Sequence, residues 1–434
     1  MRAWCAAPAT RIPNGARRSR RAAVGRGSIQ CEAAEARGMT TDETEAGPLA
    51  GLTVLELSGS PGPAFGAALL ADLGARVIVC EPPGGSALRR LGPEAVRRVW
   101  WPIAARNKLS LAVDATHPDA APVLDRLVGV ARMMLRDDDA PPWREAAARA
   151  TNPPQDVHLF PTGADRPELW PWSTAPELAG AASGMMALTG ENDGPPVLPE
   201  IPLAEHATGM LAAAAALFEQ RAAVLEGRAA APLGFALHEG LMRMIEWQLP
   251  VAAAQGRAEL RCGNRFPMNA NIGNVFRTRD GGLLTVSAAT NAVAERMLRM
   301  IGGEALAADP RFRTQADRRA HMDEIEARIA EWMGRHDTAE ALALVQANDV
   351  VVGPILDAGE LMADPHVAAR EGFVEVALPE GGSLPMPGVM PHGLGGAVRN
   401  AGPAPGADSD AVLGSLGFEP GEIAALRRTG VIWA

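Results

Sequence analysis

The 434-residue chain has no tyrosine, a single lysine at Lys108, and four cysteines. The first two scarcities, set beside abundant Ala, Arg, Gly and Pro, read as a GC-rich coding bias and carry no chemistry of their own. Cys5 and Cys31 lie in an atypical N-terminal segment, while Cys80 and Cys262 stand alone with no C-x-x-C and no metal-ligand spacing, which fits a reducing, cytoplasmic setting. None of the eight histidines forms an H-x-x-x-H pair, so a metal site finds little support. No uninterrupted apolar run approaches the roughly 20 residues of a bilayer span. The net charge is −10, and residues 1–38 hold eight Arg and two Glu, so the remainder carries −16. That balance argues against nucleic acid or an anionic membrane as the main partner.

What is present begins at residues 52–85, LTVLELSGSPGPAFGAALLADLGARVIVCEPPGG. An apolar strand from Leu52 to Leu57 meets a glycine-proline elbow, an alanine-rich helix expected to start at Pro63, and a second strand ending in Glu81. This is a mononucleotide-binding βαβ half, with helix amides facing whatever sits above the strand end. The spacing Gly59, Gly62, Gly66 is not the G-x-G-x-x-G of a dinucleotide fold, although Glu81 lies about where a ribose-binding acid would be. On these residues alone, nucleotide binding and an ordinary crossover stand about equal.

Residues 1–48 read as a disordered leader or a mis-called start: the arginines lack the apolar core of a signal peptide, and Met39 opens a short polar leader into the first strand. Downstream of Asn107 and Lys108, the pattern is strand, turn, helix, strand. Residues 136–154 are expected to be loop or short irregular helix, followed by a strand from Val157 to Phe160 and a turn-rich stretch. Helices are expected at Glu177 to Leu188 and Leu203 to Gln220. A different texture begins near Gly273, where a hairpin turns at Asp280-Gly281-Gly282. Helices are expected to follow at Ala292 to Ile301, Arg313 to Met333 and Thr338 to Gln346. Residues 396–409, rich in Ala, Gly and Pro, read as an exposed connection.

In their order, PLAGLTVLELSG, RNKLSLAVD, SGMMALTGENDGPP, FRTRDGGLLTV, ADPRFRT and VVGPILDAGELMADPHVAAREGF resemble the family III CoA-transferases, the group of formyl-CoA transferase and carnitine CoA-transferase. The resemblance runs from about residue 48 to the end and marks a divergent member. It implies an α/β fold: a Rossmann-like large domain built from both chain ends (49–260 and 376–434), a smaller inserted α+β domain (261–375), and an interlocked homodimer. It also implies transfer of CoA from an acyl-CoA to a carboxylic acid, with CoA thioesters as substrates and no tightly bound cofactor.

The family nucleophile is an aspartate shortly after the D-G-P-P turn, at a helix start and followed by glycine. Glu205 occupies that position in LAEHATGM. A carboxylate attacks a thioester to form an anhydride and then a carboxyl-CoA thioester, and glutamate is chemically competent for this. On the residues alone, Glu205 reads as a helix-start acid. The adjacent His206 reads as a packing or surface residue. For CoA, the resemblance implies Ser60, Pro61 and Gly62 in the elbow, Asn107 and Lys108 in the N-K pair, and Asp137 in the segment that replaces E-N-F-x-P-G.

Pro82 stands where relatives commonly place a basic residue, and Asp137 and Asp138 would repel a phosphate unless the run is a solvated loop. Lys108 is expected either to neutralise a CoA phosphate or to be a solvent-exposed strand-end charge. Glu177 reads as a helix N-terminal acid near a site that carries an acid or aromatic in relatives. The glycine-rich flap is not recognisable before Asn269. An acyl-CoA racemase would need a histidine where Ala175 stands and is disfavoured. The alternative from another class is a non-catalytic paralogue that binds acyl-CoA or a homologous subunit.

Overall fold

The computed structural model describes residues 47–161, 168–169, 176–257, 261–265 and 272–433. Most of the leader, the turn-rich stretch with Ala175, and the flap region before Asn269 lie outside the described residues.

Six parallel strands form the main sheet: β1 (Thr53–Leu57), β2 (Arg76–Glu81), β3 (Leu109–Ala112), β4 (Met133–Arg136), β5 (Gln155–Phe160) and β6 (Leu233–Ala236). Their order is β3-β2-β1-β4-β5-β6, so the chain reverses direction across the sheet between β1 and β4. That reversal opens a crevice at the carboxyl ends of the strands. Register places Leu55 beside Ile78 on one side and Met134 on the other.

Alternation along each strand sends neighbouring residues to opposite faces. Val54, Val77 and Met133 pack under α1 (Pro61–Asp72) and the later α7 (Leu203–Glu226) through Ala67, Leu70, Ala212 and Ala216. Leu55, Ile78 and Met134 pack under α3 (Ala121–Val130) and α4 (Pro141–Arg149) through Leu127 and Trp143. The same core receives Val412, Phe418 and Ile423 from the C-terminal α16 (Ser409–Ser415) and α17 (Pro420–Thr429). Both chain ends therefore build one core. Between α1 and β3 lies α2 (Glu94–Ala104). Between β5 and α7 come the short α5 (Ala179–Ala182) and α6 (Met185–Leu188), and after β6 come α8 (Leu237–Met244) and α9 (Gln248–Gln255).

A second core forms on the antiparallel sheet of β7 (Ile272–Arg277), β8 (Leu283–Ala288) and β9 (Val351–Pro354). It is covered by α10 (Asn291–Ala307), α12 (Met322–Met333) and α13 (Thr338–Ala347), with the short α11 (Gln315–Ala320) preceding α12. The hairpin turns at Asp280, whose carboxylate accepts hydrogen bonds from the Thr278 and Thr338 hydroxyls. Two short helices, α14 (Ala358–Ala363) and α15 (Pro365–Ala369), lead to the hairpin of β10 (Phe373–Ala377) and β11 (Ser383–Pro387).

Several local expectations are corrected. Helix α1 starts at Pro61, because proline is pre-set for a first helical position and Ser60 holds the extended conformation of an N-cap. The expected helix over 177–188 is interrupted at Gly184, which has a φ of 85°. The expected helix over 313–333 breaks at His321, with a φ of −120°. Residues 136–154 contain the regular helix α4. Residues 396–409 are bound rather than loose: the Asn107 side chain takes hydrogen bonds from the amides of Arg399 and Asn400 and donates to the Ala397 carbonyl.

Candidate active site

The elbow after β1 is held from a distance. Ser60 makes no side-chain cap for α1. Instead, the Gly59 amide donates to Asp137 Oδ2 at 3.0 Å, and the Ser60 hydroxyl and amide act on the same carboxylate. Asp137 follows β4, the strand beside β1, so this carboxylate spans the point where the sheet order reverses. Burial raises the Asp137 pKa, with the charge of Asp138 adding to it, while the elbow hydrogen bonds oppose the rise.

Helix α1 then runs backbone to backbone against α7. A Cβ placed on Gly62 would stand 3.4 Å from the Glu205 carbonyl oxygen, and one on Gly209 would stand 2.2 Å from the Gly62 carbonyl oxygen. Glycine at 66 and 209 is what permits this approach, since a Cβ at either would come within 3.0 Å of a backbone oxygen of the other helix. It sets Glu205, in the first turn of α7, beside the first turn of α1. On its other side α7 is fixed by Thr208, whose hydroxyl donates to the Leu237 carbonyl at 3.0 Å.

Glu205 is half-buried and has no ion-pair partner among the described residues. Burial raises its pKa, its own amide opposes the rise, and the charge of Glu177 raises it further. The result is a carboxylate stripped of part of its water, close to a second acid and uncompensated by a cation. His206 packs as expected: its ring stacks on Phe65 of α1 at 4.3 Å and lies 6.2 Å from Trp100 of α2, and burial lowers its pKa. Phe65 and Trp100 were not singled out in the sequence. Their i+4 and i+39 positions relative to Pro61 give no linear signal that they meet at His206.

At the carboxyl ends of the strands lies a cleft of about 590 Å³. Ser58 and Gly59 follow β1, Ser86 follows β2, Asp114 follows β3 and Asp137 follows β4, and all line it together with Trp143 of α4. Two of its aspartates are turned back onto their own turns: Asp114 accepts from the Thr116 amide at 2.9 Å, and Asp138 from the Ala140 amide at 3.0 Å. Within the acidic run after β4, Asp138 therefore caps its own turn while Asp137 holds the elbow.

Three expected ligand contacts take other places. Lys108 is buried, with Nζ 2.6 Å from Glu56 Oε2 and 2.8 Å from the Ala64 carbonyl oxygen. It tethers β1, β3 and α1 from inside, and burial lowers its pKa against the pull of Glu56. Neither a solvent-exposed strand end nor a phosphate contact describes it in this structure. Asn107, in the left-handed region with a φ of 60°, binds Asp72 and the 397–400 strap. Glu81 is fully buried, receives both arms of Arg89 at 2.6 Å and the Ser110 hydroxyl at 2.5 Å, and so has no free oxygen for a ribose. Burial acts to raise its pKa, but these hydrogen bonds hold it below the usual carboxylate value. Of the expected residues, Asp137 lines the cleft and Gly62 lies beside Glu205. Ser60 and Pro61 form the elbow between those two places.

This arrangement, a doubly wound sheet with a crevice at its switch point and an uncompensated carboxylate at a neighbouring helix start, accords with the family match. The model of CoA-transferase family III matches residues 49–137 and 172–410, and the chain belongs to that family. Within it, the chain is similar to succinyl-CoA–D-citramalate CoA-transferase of Chloroflexus aurantiacus, 30% identical over 89% of this chain and 98% of that one. It is also similar to acetyl-CoA:oxalate CoA-transferase of Acetobacter aceti, 27% identical over 80% and 90%. A CAIB/BAIF family protein from Brucella suis shares the fold with a TM-score of 0.74, at 22% identity over 86% of this chain and all of that one. No described helix is long and apolar enough to cross a membrane.

Proposed function

We propose that the protein is an acyl-CoA:carboxylate CoA-transferase in which Glu205 is the covalent nucleophile. The observation that carries this reading is the state of Glu205: half-buried, without a cation, raised in pKa, and set against the first turn of α1 by the glycine contact. The Glu205 carboxylate attacks the thioester carbonyl, giving a mixed anhydride and CoA thiolate. The thiolate attacks the Glu205 acyl carbon, which releases the donor acid and leaves a glutamyl-CoA thioester. The acceptor carboxylate attacks that thioester to form a second anhydride, and the thiolate returns to the acceptor's carbonyl, freeing Glu205. A carboxylate with raised basicity and little solvation is the better nucleophile for the first step. The cleft at the strand ends takes the nucleotide end of CoA.

The names of the relatives suggest succinyl-CoA and acetyl-CoA as donors, and small dicarboxylic and hydroxy acids as acceptors. Large apolar side chains exposed on α7, Phe218 (72%), Val224 (79%) and Leu225 (69%), support a homodimer that covers them, and the interlocked form of the family is our reading of it. A folded monomer persisting at nanomolar concentration in sedimentation would rule out the interlocked form.

The mechanism is tested by mixing the protein with each donor in the absence of acceptor and following CoA exchange and adducts by mass spectrometry. An adduct on Glu205, sensitive to hydroxylamine, is expected, and Glu205→Gln should abolish both adduct and turnover while retaining CoA binding. Since the carboxylate must be ionised and its pKa is raised, the acid limb of turnover should fall above pH 4.5. Equal turnover in Glu205→Gln would disprove the assignment. A stable dimer that binds acyl-CoA but exchanges nothing, even as Glu205→Asp, would establish the non-catalytic reading instead.

A further inference from the structure

The cleft holds one basic side chain among its described lining residues, Arg90, from the 3₁₀ turn Ala87–Arg90 that follows β2. Its neighbour Arg89 is consumed by Glu81 and by the Pro403 carbonyl, so it cannot serve a ligand. Arg90 is different. One guanidinium nitrogen, Nη1, donates to the carbonyls of Gly84 at 2.8 Å and Gly85 at 3.4 Å, and no carboxylate pairs with it. Both glycines have positive φ, 86° and 79°, a conformation that turns this loop back toward the arginine. Among the described residues Nη1 alone is engaged, leaving the Nε and Nη2 edge of this cleft-lining side chain without a hydrogen bond.

Building on the reading that the cleft takes the nucleotide end of CoA, the geometry points to Arg90 as its specificity-determining anchor for the terminal 3′-phosphate. A guanidinium oriented by two main-chain carbonyls offers two parallel donors at little further entropic cost, the geometry that suits a phosphate. The aspartates nearby do not pair with it, because Asp114, Asp137 and Asp138 are each held by amides of their own turns or of the elbow. They do refuse any second site for a dianion. The phosphate group is thus recognised at one point only, and discrimination between CoA and 3′-dephospho-CoA rests on one side chain.

The test is calorimetric titration of CoA and 3′-dephospho-CoA into the full chain and into Arg90→Gln, which is exposed and leaves Arg89, Glu81 and the core untouched. CoA should bind the parent ~10–100-fold more tightly than dephospho-CoA, the worth of a charge-assisted contact. In Arg90→Gln, CoA binding should weaken to the level of dephospho-CoA, with dephospho-CoA unaffected. If the variant still prefers CoA, or if the parent does not distinguish the two, Arg90 is not the anchor. If the parent binds neither, the reading of the cleft falls first, independently of Arg90.

Discussion

Replacing Gly209 by alanine adds one methyl group at the point where α1 and α7 touch, and the structure sets its cost. The new Cβ would stand 2.2 Å from the Gly62 carbonyl oxygen, 3.1 Å from that carbonyl carbon and 3.3 Å from the Gly66 amide nitrogen. Ordinary contact begins at 3.4 Å, and every one of these atoms is backbone, so no side chain can rotate away. The helices must part by about 1 Å. Overpacking of this kind costs about 1–3 kcal/mol, against a gain of about 1 kcal/mol for alanine over glycine in a helix.

The larger effect falls on activity. Both the elbow and Glu205 ride on these two helices, and a displacement on the order of 1 Å at reacting groups costs roughly 100-fold. Gly129 of α3 supplies the control, since a Cβ there meets nothing within 4 Å. Gly129→Ala should stabilise the fold by about 0.5–1 kcal/mol and leave CoA exchange unchanged. Urea denaturation and CoA exchange, measured on both variants, decide the matter. Gly209→Ala with parental stability and parental turnover would show that the helices do not cross as closely as described.

Two further outcomes are expected. Lys108→Met should destabilise by about 3–5 kcal/mol, because it strands the buried Glu56 carboxylate, and adding Glu56→Gln should recover a large part of that loss in denaturation curves. If the double variant is no better than the single one, the pair is not coupled. Asn107→Ala removes four hydrogen bonds and should speed amide hydrogen exchange at Arg399 and Asn400 before it affects the sheet, and unchanged protection there would contradict the tether.

The βαβ half was legible because its apolar period changes from two to about four across a proline-glycine turn, and the structure preserves that order. The proposal of Glu205 rests on the order of motifs around it, since a lone acid at a helix start is common. Lys108 was misplaced for an instructive reason. Its partner lies 52 residues earlier, in the strand sequence TVLEL, where Glu56 interrupts an apolar run in a strand that helices cover on both faces. An acid in such a strand requires a cation, and the chain has one lysine to offer, but the cue lies in the strand and not at the lysine. Asp72, within the apolar LLADLG, likewise announces Arg106. Strand β6 left no comparable mark, because Gly234 and the flanking Pro232 weaken its pattern and its pairing with β5 across more than 70 residues supplies the strand. Arg90 could not be told from Arg89 by spacing, as only the bonds to Glu81 separate their fates.

The burial of Lys108 turns the chain's chemistry toward amine reagents into a two-valued signal. With one lysine in the whole sequence, and that one closed inside the sheet, an acylating reagent has only the terminal α-amine to modify while the fold is intact. A second mass increment appears only when β1, β3 and α1 part far enough to admit the reagent. The labelled fraction over time therefore counts openings of the central sheet molecule by molecule, with no engineered probe and no other lysine to blur the reading.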